Sequence, residues 1–269
     1  MKDRYDIVII GGSIAGISAA LTATNRGKSV AVISNSPETS SLYKAEKITN
    51  YPGILSATGK EISDILLQQL ENSDADLIHG RALSVMPMGD SFGVAFGSEF
   101  ISASAVIIAA GITREKLYPG ESEFLGRGVS YCATCDGMLY RGKTVAVIGG
   151  GKEAIHDADF LESIGCNVLR FTKGGRYEIK GGMQADTVIV NGEEHKVDGV
   201  FVLKDTVSVT KLVNGLEYAE GAIVTDRQMN TNIPGVFAAG DCTGKPFQLA
   251  KAAGDGNVAA LSACAYIDE

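Results

Sequence analysis

One sentence is written twice in this chain. Asp6-Ile-Val-Ile-Ile-Gly-Gly-Ser-Ile-Ala-Gly16 is an apolar run ending in a glycine turn, and Thr144-Val-Ala-Val-Ile-Gly-Gly-Gly-Lys-Glu-Ala154 repeats it. A helical stretch follows each copy, then a second apolar run: Ser29-Val-Ala-Val-Ile-Ser34 in one, Asn167-Val-Leu-Arg-Phe-Thr172 in the other. The distance from Gly11 to Ser34 equals that from Gly149 to Thr172. Each copy reads as strand, turn and helix leading to a parallel strand. A lone glycine fingerprint is weak, but two copies in register, each in strand-to-helix context, are much stronger. The repeat predicts an α/β fold of two Rossmann-like, dinucleotide-binding-type domains, each a three-layer ββα arrangement.

Further punctuation assigns the rest of the chain. Ala105-Val-Ile-Ile-Ala-Ala-Gly111 is a buried strand closed by glycine, and Thr231-Asn-Ile-Pro-Gly-Val-Phe-Ala-Ala-Gly-Asp241 is a turn, a strand and Gly-Asp. The second repeat lies between them. The outer domain is therefore expected to be discontinuous, 1–112 with 222–269, and 113–221 to be inserted in it. A chain of 269 residues suits that arrangement.

Charge and cysteine usage exclude several classes. A formal net charge of −8 gives no overall basic footprint for nucleic acid. A strand signal starts at Tyr5, and no apolar run reaches membrane-spanning length, so a soluble cytoplasmic protein is the expectation. The five cysteines (Cys132, Cys135, Cys166, Cys242 and Cys264) are odd in number and scattered, unlike a secreted disulfide framework. His79, His156 and His195 lie far from the one close cysteine pair, and no second pair completes a zinc set, so no metal is expected.

The first turn has the chemistry of a pyrophosphate cradle. Gly11 permits the bend, Gly16 lets the helix approach the strand, and the helix N-terminus offers N–H groups and a positive dipole end. Ser13 takes the middle glycine position. Ser34 and Asn35 stand where a ribose-gripping acid is usual, and a hydroxyl and an amide can also bond it. The plain alternative is a βαβ unit that holds nothing. Cys132 and Cys135, two residues apart in Tyr131-Cys-Ala-Thr-Cys-Asp-Gly137, can close a disulfide at the start of a helix, where the dipole lowers a thiol pKa and supplies thiolate for exchange. Asp136 can protonate a departing thiolate. Two buried structural cysteines are the competing reading.

Together these strings resemble the low-molecular-weight thioredoxin reductase family over essentially the whole chain. The matches are Ile9-Ile-Gly-Gly-Ser-Ile-Ala-Gly-Ile-Ser-Ala-Ala20, Thr49-Asn-Tyr-Pro-Gly53, Ile107-Ile-Ala-Ala-Gly111, Gly126-Arg-Gly-Val-Ser-Tyr-Cys-Ala-Thr-Cys-Asp-Gly137, Ile233-Pro-Gly-Val-Phe-Ala-Ala-Gly-Asp241 and Gln248-Leu-Ala. The resemblance implies FAD in the outer domain, on Gly11, Ser13, Gly16, Ser34, Asn35, Ser41, Asn50, Gly111, Gly240, Asp241, Gln248 and Leu249. Asp241 would lie near the ribitol and Gln248 near the ring. It also implies that Cys135 faces the flavin, that Cys132 attacks the protein substrate, that Asp136 is the acid, and that the protein is a homodimer.

The inserted domain departs from the family pattern. The turn residues Gly149, Gly151 and Ala154 survive, but the family's His-Arg-Arg segment after the second strand is replaced by Thr172-Lys-Gly174, and Glu178 stands where a downstream Arg is expected. An acid there repels a 2′-phosphate. A Gly-x-x-Pro-Asn signature is replaced by Phe201-Val-Leu-Lys-Asp-Thr206, and a helix–strand portion is missing after Gly174. These losses imply a reduced domain without an NADPH site, and the resemblance narrows to the ferredoxin-dependent flavin thioredoxin reductases of anaerobic bacteria. The partners implied are ferredoxin as donor and thioredoxin as acceptor. Two basic clusters are candidate docking sites for an acidic ferredoxin: Arg170, Lys173, Arg176 and Lys180, or Lys44 and Lys47. Each reads equally as a solvated face. The alternatives are an oxygen-dependent dithiol oxidase, an NAD(P)H-dependent disulfide reductase, and a non-catalytic FAD redox sensor.

Overall fold

We describe a computed structural model of the chain over residues 2–97, 99–111, 118–121, 123–130, 133–150, 152–172, 174–203 and 212–269. It divides into two compact units, Met1–Thr113 with Ser208–Glu269, and Arg114–Val207.

The outer unit opens with β1 (Arg4–Ile10), α1 (Ile14–Asn25) and β2 (Val30–Ser34). Ile7, Val8, Ile9 and Ile10 are all buried, as expected of a central parallel strand covered on both faces. α2 (Gly59–Glu71) starts at a capping box: Thr58 Oγ1 accepts from the Glu61 N–H, and the Glu61 carboxylate accepts from the Thr58 N–H. β3 (Asp76–His79), β4 (Ala82–Pro87), β5 (Phe92–Phe96) and β6 (Glu99–Ile108) follow.

The inserted unit contains β7 (Val129–Ser130), α3 (Ala133–Asp136), β8 (Thr144–Gly149), α4 (Lys152–Ser163) and β9 (Asn167–Thr172). Next come β10 (Tyr177–Gly181), β11 (Ala185–Val190), β12 (Glu193–Lys196) and β13 (Gly199–Leu203). Its parallel sheet has the order β7-β13-β8-β9. Strand alternation sorts the side chains into two cores. Val145, Val147, Phe201 and Leu203 pack with Ala154, Ala158 and Leu161 of α4, while Ala146, Ile148, Val200 and Val202 pack with Tyr177, Ile179 and Val188 of the antiparallel β10-β11-β12 sheet. This is the expected three-layer ββα arrangement. Where the sequence suggested a missing helix–strand portion, the chain turns after β9 into the β10–β11 hairpin.

The outer unit resumes at 208, upstream of the 222 expected, because Leu212 and Val213 are buried and the Leu212 carbonyl accepts from the Val85 N–H at 2.6 Å. β14 (Tyr218–Ala219), β15 (Ala222–Ile223), β16 (Val236–Ala238) and α5 (Leu249–Asp268) complete it. β3, β2, β1 and β6 are parallel neighbours. β5 pairs antiparallel with β6, from Phe92 opposite Ala103 to Phe96 opposite Glu99, and β16 pairs parallel with its C-terminal end, Val236 opposite Val106. Small residues let α1 and α5 come together: a methyl at Gly256 would lie 2.1 Å from the Ala15 carbonyl oxygen. Among the described residues no helix is long and apolar enough to cross a membrane.

Candidate functional site

Three strand ends converge in the outer unit. β1 runs into Gly11, β6 leads to Gly111 and β16 leads to Gly240, with φ of 116°, 66° and 80°. The Ala109 N–H bonds to the Ile10 carbonyl and the Ala239 N–H to the Ile108 carbonyl, so these ends are knit together. The carboxyl ends of parallel strands are where doubly wound folds take ligands. At Gly11 a methyl would meet the Ala109 carbonyl oxygen at 2.3 Å, and at Gly16 it would meet the Gly11 oxygen at 1.7 Å. Glycine is therefore needed at both positions to seat α1 behind the turn.

Ser13 is the N-cap of α1, but its side chain makes no cap bond, and no acidic residue lies in the first turn. The first bond into the helix runs from the Ile17 N–H to the Ser13 carbonyl, so the N–H groups of Ile14, Ala15 and Gly16 are aimed off the helix end. Ser34 Oγ accepts from the Gly12 N–H at 3.1 Å and donates to the Asn35 carbonyl at 3.0 Å. This hydroxyl anchors the glycine turn to the end of β2.

The fold also joins residues far apart in sequence. Asn50 Nδ2 donates to Gln248 Oε1 at 2.8 Å, and Gln248 is the residue before Leu249, the first of α5. Asp241 lies in a short 3-10 turn, Gly240–Thr243. Burial pushes the Asp241 carboxyl above the ordinary carboxylate range, while Lys251 draws it back and Asp255 pushes it further up. Cys242 is fully enclosed between the Ile108 and Ala239 carbonyls, and burial pushes its thiol up to about 12, so it packs as a neutral thiol. Ser41 is exposed in the loop after β2, and among the described residues no hydrogen bond ties it to this group.

In the inserted unit, Cys132 lies outside the described residues, as do the side chains of Thr134 and Cys135. The backbone places Cys135 in α3, a single turn of four residues continued by a 3-10 turn at Gly137–Tyr140. So short a helix carries little dipole. The neighbouring acid is held: buried Ser130 donates its hydroxyl to Asp136 Oδ2 at 2.7 Å. Burial, then the charges of Asp136 and Asp198, raise the Tyr140 hydroxyl pKa. Cys166 donates to the Tyr140 carbonyl at 3.2 Å, and burial raises its thiol pKa.

The second glycine turn is built differently. Gly151 lies outside the described residues, while Gly149 belongs to β8 and Ala154 occupies the place of Gly16. Two residues of the basic cluster expected there are paired with carboxylates. Arg170 reaches Asp159 at 2.7 Å and Glu162 at 2.8 Å, and Lys180 pairs with Glu178 at 3.3 Å; Lys173 lies outside the described residues. Residues 204–206 of the replaced signature also lie outside them. Lys44 and Lys47 are exposed on the outer unit.

Sequence reading missed Ser130, Lys251 and Asp255. Lys251 and Asp255 carried a signal, opposite charges four apart just after Gln248-Leu249; Ser130 carried none, since only the turn into α3 brings it to Asp136.

Comparison with known proteins gives a consistent picture. The family model described as pyridine nucleotide-disulphide oxidoreductase matches residues 5–174 and 173–256. The thioredoxin reductase of Bacillus subtilis is 32% identical over 98% of this chain and 95% of its own length. Two crystal structures of a ferredoxin-flavin thioredoxin reductase from Clostridium acetobutylicum are 40% and 38% identical. They cover 99% and 98% of this chain and 98% of their own, with TM-scores of 0.85 and 0.91.

Proposed function

This chain belongs to the pyridine nucleotide-disulphide oxidoreductase family and is a flavin disulfide oxidoreductase, and from that premise we propose that it is an FAD-dependent thioredoxin reductase fed by reduced ferredoxin rather than NADPH. The described residues fit FAD. The N–H groups opening α1, with no carboxylate in that turn, suit its pyrophosphate. The Asp241 carboxylate suits ribitol hydroxyls, and the paired amides of Asn50 and Gln248 suit the polar edge of the ring. Ser13, Gly111 and Leu249 line the same strand and helix ends. Bound there, FAD would supply one-electron acceptance and two-electron delivery.

The observation that carries the donor reading is the second turn. Ala154 fills the space that Gly16 leaves, Arg170 is committed to two carboxylates, and β9 turns into a hairpin in which Lys180 is paired with Glu178. A clamp for a 2′-phosphate needs uncommitted guanidinium groups. The likeness to a protein named as a ferredoxin-flavin thioredoxin reductase supports the same donor. Of the two basic clusters we favour for ferredoxin the one that holds the exposed Lys47, since Arg170 and Lys180 of the other are each paired with carboxylates.

In the dithiol half-reaction, the Cys132 thiolate attacks one sulfur of the thioredoxin disulfide. That S–S bond breaks as the mixed disulfide forms, and Asp136 delivers a proton to the leaving thiolate. Cys135 then attacks Cys132, releasing the second thioredoxin thiol and closing the Cys132–Cys135 disulfide. Two electrons and two protons have moved to thioredoxin. The Ser130 hydroxyl holds the Asp136 carboxyl in one orientation for this transfer.

The test is anaerobic. The flavoprotein is mixed in turn with excess NADPH, NADH and reduced ferredoxin, and flavin absorbance is followed. Ferredoxin is expected to bleach the flavin and support thioredoxin reduction, which Cys135→Ser abolishes. Prompt bleaching by NADPH overturns the donor reading.

A further inference from the structure

Where α5 leaves the Gly240–Thr243 turn, a cation and an anion are built into the backbone. Lys251 Nζ donates to the Gly240 carbonyl at 3.0 Å, to Thr243 Oγ1 at 2.7 Å and to the Gly244 carbonyl at 3.0 Å. It also pairs with Asp255 at 2.8 Å, the two side chains being 22% and 12% exposed. Asp255 Oδ2 in turn accepts from the Gly240 N–H at 3.2 Å and from Thr243 Oγ1 at 3.4 Å. One ammonium and one carboxylate thus engage both backbone groups of Gly240 and the residue closing the turn, and Asp241 lies between those anchor points. A pair placed only for helix stability would point to solvent and touch no loop. This one spends its hydrogen bonds on the turn.

We propose that Lys251 and Asp255 are positioning residues for FAD, fixing the Gly240–Asp241 turn so that the Asp241 carboxylate meets the ribitol chain. The inference rests on the FAD reading and adds to it two residues that touch no cofactor. Geometry and charge act together here. The three Lys251 bonds hold the backbone, while the charges set the protonation of Asp241: Lys251 favours the carboxylate and Asp255 opposes it. Both come from α5. Cys242, packed against the same turn, and Tyr218 of β14, which Cys242 in turn acts on, have pKa values of about 12 and stay neutral across the range concerned.

The experiment titrates apoprotein with FAD, by flavin fluorescence, from pH 4.5 to 8. Lys251→Met is expected to weaken binding about tenfold or more at neutral pH, the scale of a lost charge-assisted bond, and to move the acid limb of the affinity profile to higher pH. Asp255→Asn is expected to move that limb to lower pH. A merely structural role would lower affinity evenly across pH and would not shift the two variants in opposite directions. Lys251→Arg keeps the charge and is expected to leave the limb in place while losing affinity, because a planar fork cannot serve three compact acceptors. If Lys251→Met fails to fold, the contrast between Lys251→Arg and Asp255→Asn still decides. Binding within twofold of the unsubstituted protein, with the limb unmoved, overturns the proposal. Failure of the unsubstituted apoprotein to take up FAD would instead overturn the underlying reading.

Discussion

At Gly16 the outer unit has no side chain, and a methyl there would fall 1.7 Å from the Gly11 carbonyl oxygen; at the matching position of the inserted unit Ala154 carries that methyl. β1 stops at Ile10 and Gly11 bends the chain at φ 116°, whereas β8 continues through Gly149 as strand. The helices that follow are twelve residues each and begin three residues after the first glycine. Ser34, at the end of β2, reaches back to the glycine turn; at the end of β9 the Thr172 carbonyl instead accepts from the Tyr177 hydroxyl of the hairpin. The difference teaches that one βαβ frame can carry two differently built turns. The frame depends on apolar strands and helix faces, while the site depends on a few atoms around one bend.

The widest separation between the copies should come at the helix–turn contact. Gly16→Ala is expected to displace α1 or the turn, costing about 3 kcal/mol as an overpacked core does and emptying the protein of flavin. Ala154→Gly should cost about 1 kcal/mol, the helix penalty of glycine, with flavin content unchanged. Thermal melting and the absorbance ratio of flavin to protein check both. A flavin-free Ala154→Gly protein would mean that the second turn contributes to the cofactor site.

Next is Asp241→Asn. Burial raises the folded-state pKa of Asp241, so the folded chain binds its proton more tightly than the unfolded one, and stability falls as pH rises from the ordinary carboxylate range through that raised value. The asparagine variant should therefore bind FAD less tightly, yet its apoprotein should melt higher than the unsubstituted apoprotein at pH 7. That advantage should fade as pH falls through the raised value, and vanish below the ordinary carboxylate range, where both states are protonated. An apoprotein that melts lower at pH 7 would show that the carboxylate stabilises its turn.

Smaller again is Ser34→Ala, which removes the partner of the Gly12 N–H. A loss of about 1 kcal/mol, or about fivefold in FAD affinity, is the scale of one neutral hydrogen bond. The matching Thr172→Ala should stay within about 0.5 kcal/mol, as surface changes do, in the same titration and melt. The smallest effect is expected from Arg170→Ala: ferredoxin-driven flavin reduction should keep its rate and salt dependence, whereas Lys47→Glu should slow it most at low ionic strength. A slowed Arg170→Ala protein would return the docking site to the inserted unit.

Much of this was readable in the chain. The doubled glycine sentence announced both βαβ frames, because period-two apolar runs and a glycine bend are local properties. Asn50, Asp241 and Gln248 entered through family resemblance, and the fold added that Asn50 and Gln248 bond to each other. The carboxylate partners of Arg170, Asp159 and Glu162, were not legible along the strand, since they come from the neighbouring helix.

The sequence by itself determined the two frames, the glycines that bend them and the presence of a Cys132–Cys135 pair beside an acid, since each is set by neighbours in the chain. Only the tertiary structure decided how each turn is built, that Ser130 bonds to Asp136, and that Lys251 and Asp255 bond to the turn holding Asp241. Those outcomes depend on hydrogen bonds and close approaches a few ångströms long between residues set in place by packing, which spacing along the chain does not encode.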